Sequence, residues 1–155
     1  MQKITPFLWF NNQAEEAANF YVSIFKNSRV NNIHRSGDAG KGTALTISFE
    51  LEGQQFIALN GGPHYSFTPA ISLFVNCETQ AEVDELWDKL ISGGGKPSRC
   101  GWLQDRYGLS WQIIPTALMR LMSDPDPEKS KRTMQAMLQM DKIDIAKLQQ
   151  AHDQG

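Results

Sequence analysis

The stretch Leu73-Phe74-Val75-Asn76, followed by Gln80-Ala81-Glu82, repeats an earlier order in the chain. There, Leu8-Trp9-Phe10-Asn11 is followed by Gln13-Ala14-Glu15. In both copies an apolar run of strand length precedes a longer segment whose apolar residues recur with helical spacing. A shared tripeptide could arise by chance, but the same order of strand, tripeptide and helix indicates an internal duplication.

Each half of the chain carries the same sequence of secondary-structure patterns, β-α-β-β-β. Asn12 with Glu15, and Thr79 with Glu82, have the spacing of capping boxes at the two helix starts. The predicted segments are 4–10, 13–25, 29–34, 44–51 and 55–60 in the first half, and 70–76, 80–91, 96–100, 102–104 and 109–114 in the second. We therefore expect two βαβββ units, about 1–63 and 68–116, within a single domain that covers residues 1–122.

The C-terminal segment 123–155 differs from both halves. Asp126 and Pro127 are typical of the first positions of a helix, which we predict over 127–139. Asp144 is placed to cap a second short helix that turns Ile145 and Leu148 inward. We expect a helical tail that packs on the rest of the chain, and a tail that forms a dimer contact or a gate is the alternative.

Composition excludes several classes of function. The chain has 155 residues, with 15 Lys and Arg against 17 Asp and Glu, so it lacks the basic surface of a nucleic-acid-binding protein. No apolar run reaches the length of a membrane span, and Met1-Gln2-Lys3-Ile4-Thr5-Pro6 does not have the pattern of a signal peptide. The two cysteines do not form a disulfide framework. We expect a reduced, cytoplasmic protein.

One stretch of the second half resembles a known family. It is Cys100-Gly101-Trp102-Leu103-Gln104-Asp105-Arg106-Tyr107-Gly108-Leu109-Ser110-Trp111-Gln112-Ile113-Ile114-Pro115. The opening 4–10 and the tail segment 136–145 are similar to the same family, the PhnB-like group of the vicinal oxygen chelate superfamily. That group is also labelled 3-demethylubiquinone-9 3-methyltransferase-like. The resemblance implies an α+β fold in which two tandem βαβββ units form curved mixed sheets around a cavity, and it implies a homodimer.

Metal-dependent members of this superfamily hold their ion with four residues, and the resemblance places those positions at Thr5, Ala58, Ala70 and Gln112. Alanine has no donor atom, and threonine is a poor neutral ligand. We therefore expect no metal ion and no other cofactor.

Strand alternation around the same positions predicts the side chains that line the cavity. Cys100 and Trp102 lie beside the cavity in the family pattern. The predicted ligand-binding residues are Phe7, Trp9, Phe56, Asn60, Ser72, Phe74, Cys100, Trp102, Ser110 and Gln112. The complementary set, predicted to back onto the helices, is Leu8, Phe10, Ile57, Leu59, Leu73, Val75, Trp111 and Ile113. Aromatic walls with a few neutral hydrogen-bonding groups suit a small hydrophobic or aromatic ligand.

The favoured function is therefore metal-independent binding of such a ligand, and whether the protein is an enzyme stays open. The family label suggests a methyltransferase, but Gly93-Gly94-Gly95 follows a helix and Gly61-Gly62 leads to Pro63, so neither is a strand-to-helix glycine loop. Two more functions compete with ligand binding. One is a metal-dependent isomerase or dioxygenase, and the second is an interaction module with a vestigial pocket.

Overall fold

The structure is a computed structural model that describes residues 2–35 and 44–154. The chain divides into two compact units, Met1–Phe67 (unit 1) and Thr68–Gly155 (unit 2). In the described residues, each unit contains at least one helix and a four-stranded mixed sheet that is open rather than closed. The predicted α+β fold with two tandem βαβββ units is confirmed.

Unit 1 is a four-stranded sheet with one helix. Its elements are β1 (Phe7–Phe10), α1 (Ala14–Ile24), β2 (Arg29–Arg35), β3 (Ala44–Leu51) and β4 (Gln54–Asn60). The strand order is β1-β4-β3-β2, with β1 parallel to β4 and the other pairs antiparallel. Phe49 stacks on Phe56 at 5.4 Å between ring centroids and on Tyr21 of α1 at 6.3 Å. These three buried rings join the sheet to the helix.

Unit 2 repeats this architecture. Its strands and first helix are β5 (Ser72–Cys77), α2 (Gln80–Ile91), β6 (Lys96–Pro97), β7 (Trp102–Gln104) and β8 (Ser110–Pro115). The strand order is β5-β8-β7-β6, again with a parallel first pair. Strand β6 is shorter than the predicted 96–100. The backbone leaves the strand for a turn in which Cys100 and Gly101 both have positive φ.

The predicted helix caps are confirmed at three of four sites. Thr79 accepts a hydrogen bond from the backbone of Glu82, Asp126 accepts from Glu128, and Asp144 accepts from Lys147. The cap predicted at Asn12 is wrong, because α1 begins after Gln13 with no side-chain cap of its own. Its first amide, that of Ala14, instead donates to Oδ1 of Asn60 on β4 at 2.8 Å.

Three further helices complete unit 2. They are α3 (Thr116–Met122), α4 (Pro127–Met137) and α5 (Ile145–Asp153). Helix α3 directly continues β8 and was not predicted from the sequence. A buried apolar cluster joins these helices to the end of β8, and its members are Ile114, Leu118, Leu121, Ile143 and Leu148. Within residues 2–35 and 44–154, no helix has the length and apolarity needed to cross a bilayer.

Candidate functional site

Five of the predicted ligand-binding residues share one face of the sheet in unit 2. Ser72 and Phe74 on β5 lie opposite Ser110 and Gln112 on β8, and Gln112 lies opposite Trp102 on β7. Partners across a ladder project from the same side of a sheet, so these side chains form one surface. We call it the clamp face. Its central row places Gln112 between the two aromatic residues, and all five side chains are uncharged.

The polar side chains of the clamp face differ in whether they have hydrogen-bond partners. The Gln112 amide Nε2 donates a hydrogen bond to Oγ of Ser72 at 3.0 Å, which holds the amide across the β5–β8 pair. Ser110 is 1% exposed, and its Oγ has no hydrogen-bond partner among the described residues. A buried hydroxyl without a partner is uncommon and is often completed by a bound molecule. Phe74 is 48% exposed, so this face offers apolar surface beside the polar groups.

A buried carboxylate fixes the turn that joins the two clamp strands β7 and β8. Oδ1 of Asp105 accepts hydrogen bonds from the backbone of Tyr107 at 2.8 Å and of Leu109 at 3.1 Å. Oδ2 accepts from Nε1 of Trp111 at 2.9 Å on the helix-facing side of the sheet. Asp105 therefore fixes the turn, and it also connects the turn to the core.

The two cysteines lie in different environments. Cys77 is fully buried at the end of β5, and burial, followed by the nearby Glu82 carboxylate, raises its pKa to about 12. A thiol in that state is not a nucleophile near neutral pH. Cys100 is half-buried in the turn before Trp102, where its φ is +61°. It adjoins the clamp face along the chain, and its role in ligand binding stays a prediction.

In unit 1 the predicted face is correct for β1 and wrong for β4. Phe7 and Trp9 lie on the open side of the sheet, opposite Ile57 and Leu59. Phe56 and Asn60 lie on the other side, where Asn60 caps α1. Ile57 and Leu59, which were predicted to face the helix, therefore lie on the open side, and Phe56 and Asn60 face the helix instead. On the open side of β4, Ile57 and Leu59 are apolar and Gln55 is polar.

Trp9 is already engaged by its own unit. Its Nε1 donates to the carbonyl of Gly62 at 2.9 Å, and the ring of Tyr65 meets it edge-on at 4.9 Å. A Cβ on Gly61 would lie 2.4 Å from the Trp9 ring, so only glycine allows this approach. The segment after β4 thus folds against Trp9, which leaves the unit 2 face as the better candidate for ligand binding.

Four polar residues on the open side of unit 1 were not identified from the sequence. Asn32 lies opposite Ser48, and His34 lies opposite Thr46, which brings all four onto the side that carries Phe7 and Trp9. The signal in the sequence is obscured by an irregularity in β2 between Val30 and Asn32, which shifts its alternation.

The duplication corrects one of the metal-ligand positions. Leu8 pairs with Ala58 as Leu73 pairs with Trp111, so the counterpart of Gln112 in unit 1 is Leu59 rather than Ala58. Leucine also has no donor atom. With Thr5, Ala70 and Gln112 as the remaining positions, this donor set does not fit a divalent ion. Across the described residues, no three or more His, Cys, Asp or Glu side chains are grouped to hold a metal.

A titratable cluster lies in the tail, away from the predicted site residues. The buried imidazole of His152 contacts Oδ2 of Asp124 at 2.8 Å through Nε2 and Oδ1 of Asp153 at 2.9 Å through Nδ1. Hydrogen bonds to Asp153 and Asp124 raise the pKa of His152. The pKa of Asp124 is lowered, first by the amide of Asp126 and then by His152, and His152 also lowers that of Asp153. Lys129 adds a further attraction to both carboxylates.

This cluster predicts a pH optimum for the docking of α5. Stability from a raised histidine pKa is complete below about pH 6.5 and is lost as pH rises through the folded-state value. Stability from the lowered carboxylate pKa values is complete above about pH 4 and is lost as pH falls. Hydrogen-exchange protection of α5 should therefore be greatest between these limits and decrease toward pH 8. In His152→Gln the decrease toward pH 8 should disappear; a decrease of unchanged size would contradict the assignment.

Comparison with known proteins identifies similar sequences and structures. A family model described as 3-demethylubiquinone-9 3-methyltransferase matches residues 2–114. The solved PhnB protein from Bacillus cereus is 39% identical, with a TM-score of 0.68, and 74% of this chain covers 100% of it. Protein PA1353 from Pseudomonas aeruginosa is 19% identical, with a TM-score of 0.61, and the match covers 74% of this chain and 98% of that protein. A glyoxylase/bleomycin resistance protein/dioxygenase domain from Frankia is 13% identical, with a TM-score of 0.50, and the match covers 74% of this chain and 92% of that domain. The last two show a similar fold alone. No curated protein matches the chain.

Proposed function

We propose that this chain, which belongs to the 3-demethylubiquinone-9 3-methyltransferase family of the vicinal oxygen chelate superfamily, binds a small planar aromatic molecule without a metal ion. The binding surface is the clamp face of unit 2. The observation that carries the proposal is the row Phe74–Gln112–Trp102, which places an amide between two aromatic side chains on one face.

The chemistry of the clamp face selects the class of ligand. Two aromatic side chains provide stacking or edge contacts for a flat ring. Gln112 can hydrogen-bond an oxygen substituent on that ring. The unpartnered Oγ of Ser110 is buried on the same face, so it joins this hydrogen bonding only if the side chains that cover it move aside. None of the five clamp side chains carries a charge, and the cation nearest in the register, Lys96, lies on the outer strand β6 in the row of Ser110. The family description names a demethylated ubiquinone, whose planar ring also carries oxygen substituents.

Methyl transfer is the second candidate because the family description names it. The donor S-adenosylmethionine is commonly held by a glycine loop between a strand and a helix of a parallel sheet. Here Gly61 and Gly62 follow β4 and lead to Pro63, whereas Gly93 to Gly95 follow α2 and lead to β6. Neither run fits that site, so we assign binding of the aromatic molecule and derive no methyl-transfer step.

The binding test uses 2-naphthol, a flat aromatic compound with one hydroxyl, followed by fluorescence titration and thermal unfolding. A ligand that binds only the folded protein stabilises it by RT ln(1 + [L]/Kd), so the melting temperature should rise with concentration. Trp102→Ala and Phe74→Ala should each weaken binding by about tenfold or more, since each removes one aromatic wall. Met119→Ala, which removes an exposed apolar side chain of α3, is the control and should bind normally.

Ser110→Ala distinguishes an effect on ligand affinity from an effect on the stability of the folded protein. Removing an unpartnered buried hydroxyl should leave the unliganded protein as stable or more stable, while the affinity for 2-naphthol falls. Equal affinity in all the clamp variants would contradict the proposed surface. S-adenosylmethionine alone should not stabilise the protein. Native mass spectra of protein purified without chelator should show no stoichiometric divalent metal, and such a metal would contradict metal-independent binding.

A further inference from the structure

The C-terminal tail lies beyond the residues that the family model matches, which end at residue 114. Yet the tail is built into unit 2 through a short connecting segment between α4 and α5. We call residues 139–145, which comprise most of this segment and the first residue of α5, the strap.

One side of the strap is hydrogen-bonded to the turn that precedes β7. The backbone N–H of Cys100 donates to the carbonyl of Met140 at 2.8 Å, and the N–H of Gly101 donates to the carbonyl of Asp141 at 2.8 Å. The next residue along the chain is Trp102, the aromatic wall of the clamp face on β7. The strap is therefore bonded to the backbone immediately before that wall.

The other side of the strap is hydrogen-bonded to the first turns of α2. Nε2 of Gln80 donates to the carbonyl of Ile143 at 2.9 Å, and its Oε1 accepts from the N–H of Ile145 at 2.8 Å. Lys142 forms an ion pair with Asp84 at 2.9 Å. One glutamine side chain thus fixes the strap on both sides of Asp144, and a surface ion pair adds to it.

Close packing locks the strap onto the turn. Gly101 has φ +86°, and a Cβ there would lie 2.7 Å from Cδ1 of Ile114 and 3.1 Å from Cγ1 of Ile143. Ile143 is fully buried. The carbonyl of Gly101 in turn accepts a hydrogen bond from the N–H of Ile113 on β8, next to Gln112. The position of the turn is therefore coupled to both strap and clamp strands.

We infer that the strap is a positioning element for the clamp face: it holds the Cys100–Gly101 turn so that Trp102 stands opposite Phe74 across Gln112. The expected effect of the strap on ligand affinity rests on the proposed function. Its role in holding the Cys100–Gly101 turn does not depend on any ligand. Gln80 and Gly101 are positioning residues that act on the ligand through Trp102. The tail then takes part in the aromatic clamp by holding one of its two aromatic residues in place.

The test combines a geometric readout with a binding readout in the full chain. Gln80→Leu removes both side-chain bonds to the strap. It should increase the rate at which a thiol reagent modifies Cys100, and the exchange of the Gly101 amide, by about tenfold. Affinity for 2-naphthol should fall several-fold. Gln149→Ala is the matched control, because its amide bonds Asp153 within α5, and it should change neither readout. Cys77 is buried and does not interfere with the labelling.

The outcomes separate this inference from the proposed function. Unchanged labelling and exchange in Gln80→Leu overturn the strap assignment, whatever the protein binds. Faster labelling with unchanged 2-naphthol affinity overturns its role in positioning Trp102. A wild-type protein that binds no 2-naphthol overturns the proposed function, while labelling still tests the strap. If Gln80→Leu fails to fold, Lys142→Met should give a smaller acceleration of labelling in the same direction, and no acceleration overturns the inference.

Discussion

Replacing Asp105 by alanine is expected to lower the free energy of unfolding of unit 2 by about 3 kcal/mol or more. Asp105 is 3% exposed, and its carboxylate accepts from the backbone of Tyr107 and Leu109 and from Nε1 of Trp111. Alanine removes the acceptor for all three donors. Leu109 and Trp111 are themselves buried, so water cannot replace the lost bonds, and each buried donor left without an acceptor costs about 1–3 kcal/mol.

Urea unfolding, with hydrogen exchange of the β7 and β8 amides to assign the loss to unit 2, measures this effect. Asp105→Asn should cost less, because an amide oxygen can still serve the backbone donors although its NH₂ group faces Trp111. The matched control is Asp126→Ala, which removes another aspartate acceptor in the same unit, at the exposed start of α4. That change should cost about 1 kcal/mol. A loss below that of Asp126→Ala would show that the Asp105 bonds contribute little.

The sequence predicted the order of elements as far as β8 but not α3, and strand alternation predicted the clamp face. In β8 the polar Ser110 and Gln112 alternate with the apolar Trp111 and Ile113, so the period of two determines which side is buried. Phe74 was placed on the same side by alternation from Ala70, a position that the family resemblance supplies. Where a strand alternates in polarity, its face can be predicted before its partners are known.

Strand β4 shows where this reasoning fails. Phe56, Ile57, Ala58 and Leu59 are all apolar, so alternation contains no information about which side meets the helix. The prediction took its side from Ala58, a position supplied by the family resemblance, and this placed Asn60 on the open side. In the structure Asn60 instead accepts from the first amide of α1. A signal was present in α1, since Gln13 at its cap position makes no side-chain cap bond. A helix without a local cap needs an acceptor from elsewhere in the fold.

The tail was predicted as helices but not as part of the site. Its caps at Asp126 and Asp144 are local patterns that the sequence displays directly. The strap depends instead on Gln80, which lies some sixty residues earlier, and on the positive φ of Gly101. Pairings of this kind depend on tertiary structure, and a single sequence does not reveal them.

The corrected orientation of β4 predicts a large difference between two phenylalanine-to-alanine replacements in unit 1. Phe56 is 5% exposed and stacks on Phe49, which in turn stacks on Tyr21 of α1. Phe56→Ala opens a cavity in this stack and should lower the free energy of unfolding by about 3–5 kcal/mol. Phe7 lies on the open side of the same sheet and is 55% exposed, so Phe7→Ala should cost less than about 1 kcal/mol.

Urea unfolding with hydrogen exchange in β3 and β4 measures both variants, and Phe56→Leu tests the cause. Leucine refills much of the cavity, so it should recover part of the loss that alanine produces. If Phe56 instead lined the ligand-binding side, as the sequence pattern indicated, its removal would behave like that of Phe7. Equal and small losses in the two alanine variants would therefore return Phe56 to the open face. A large loss confined to Phe56→Ala places it in the core, because only a ring packed on both sides loses that much contact.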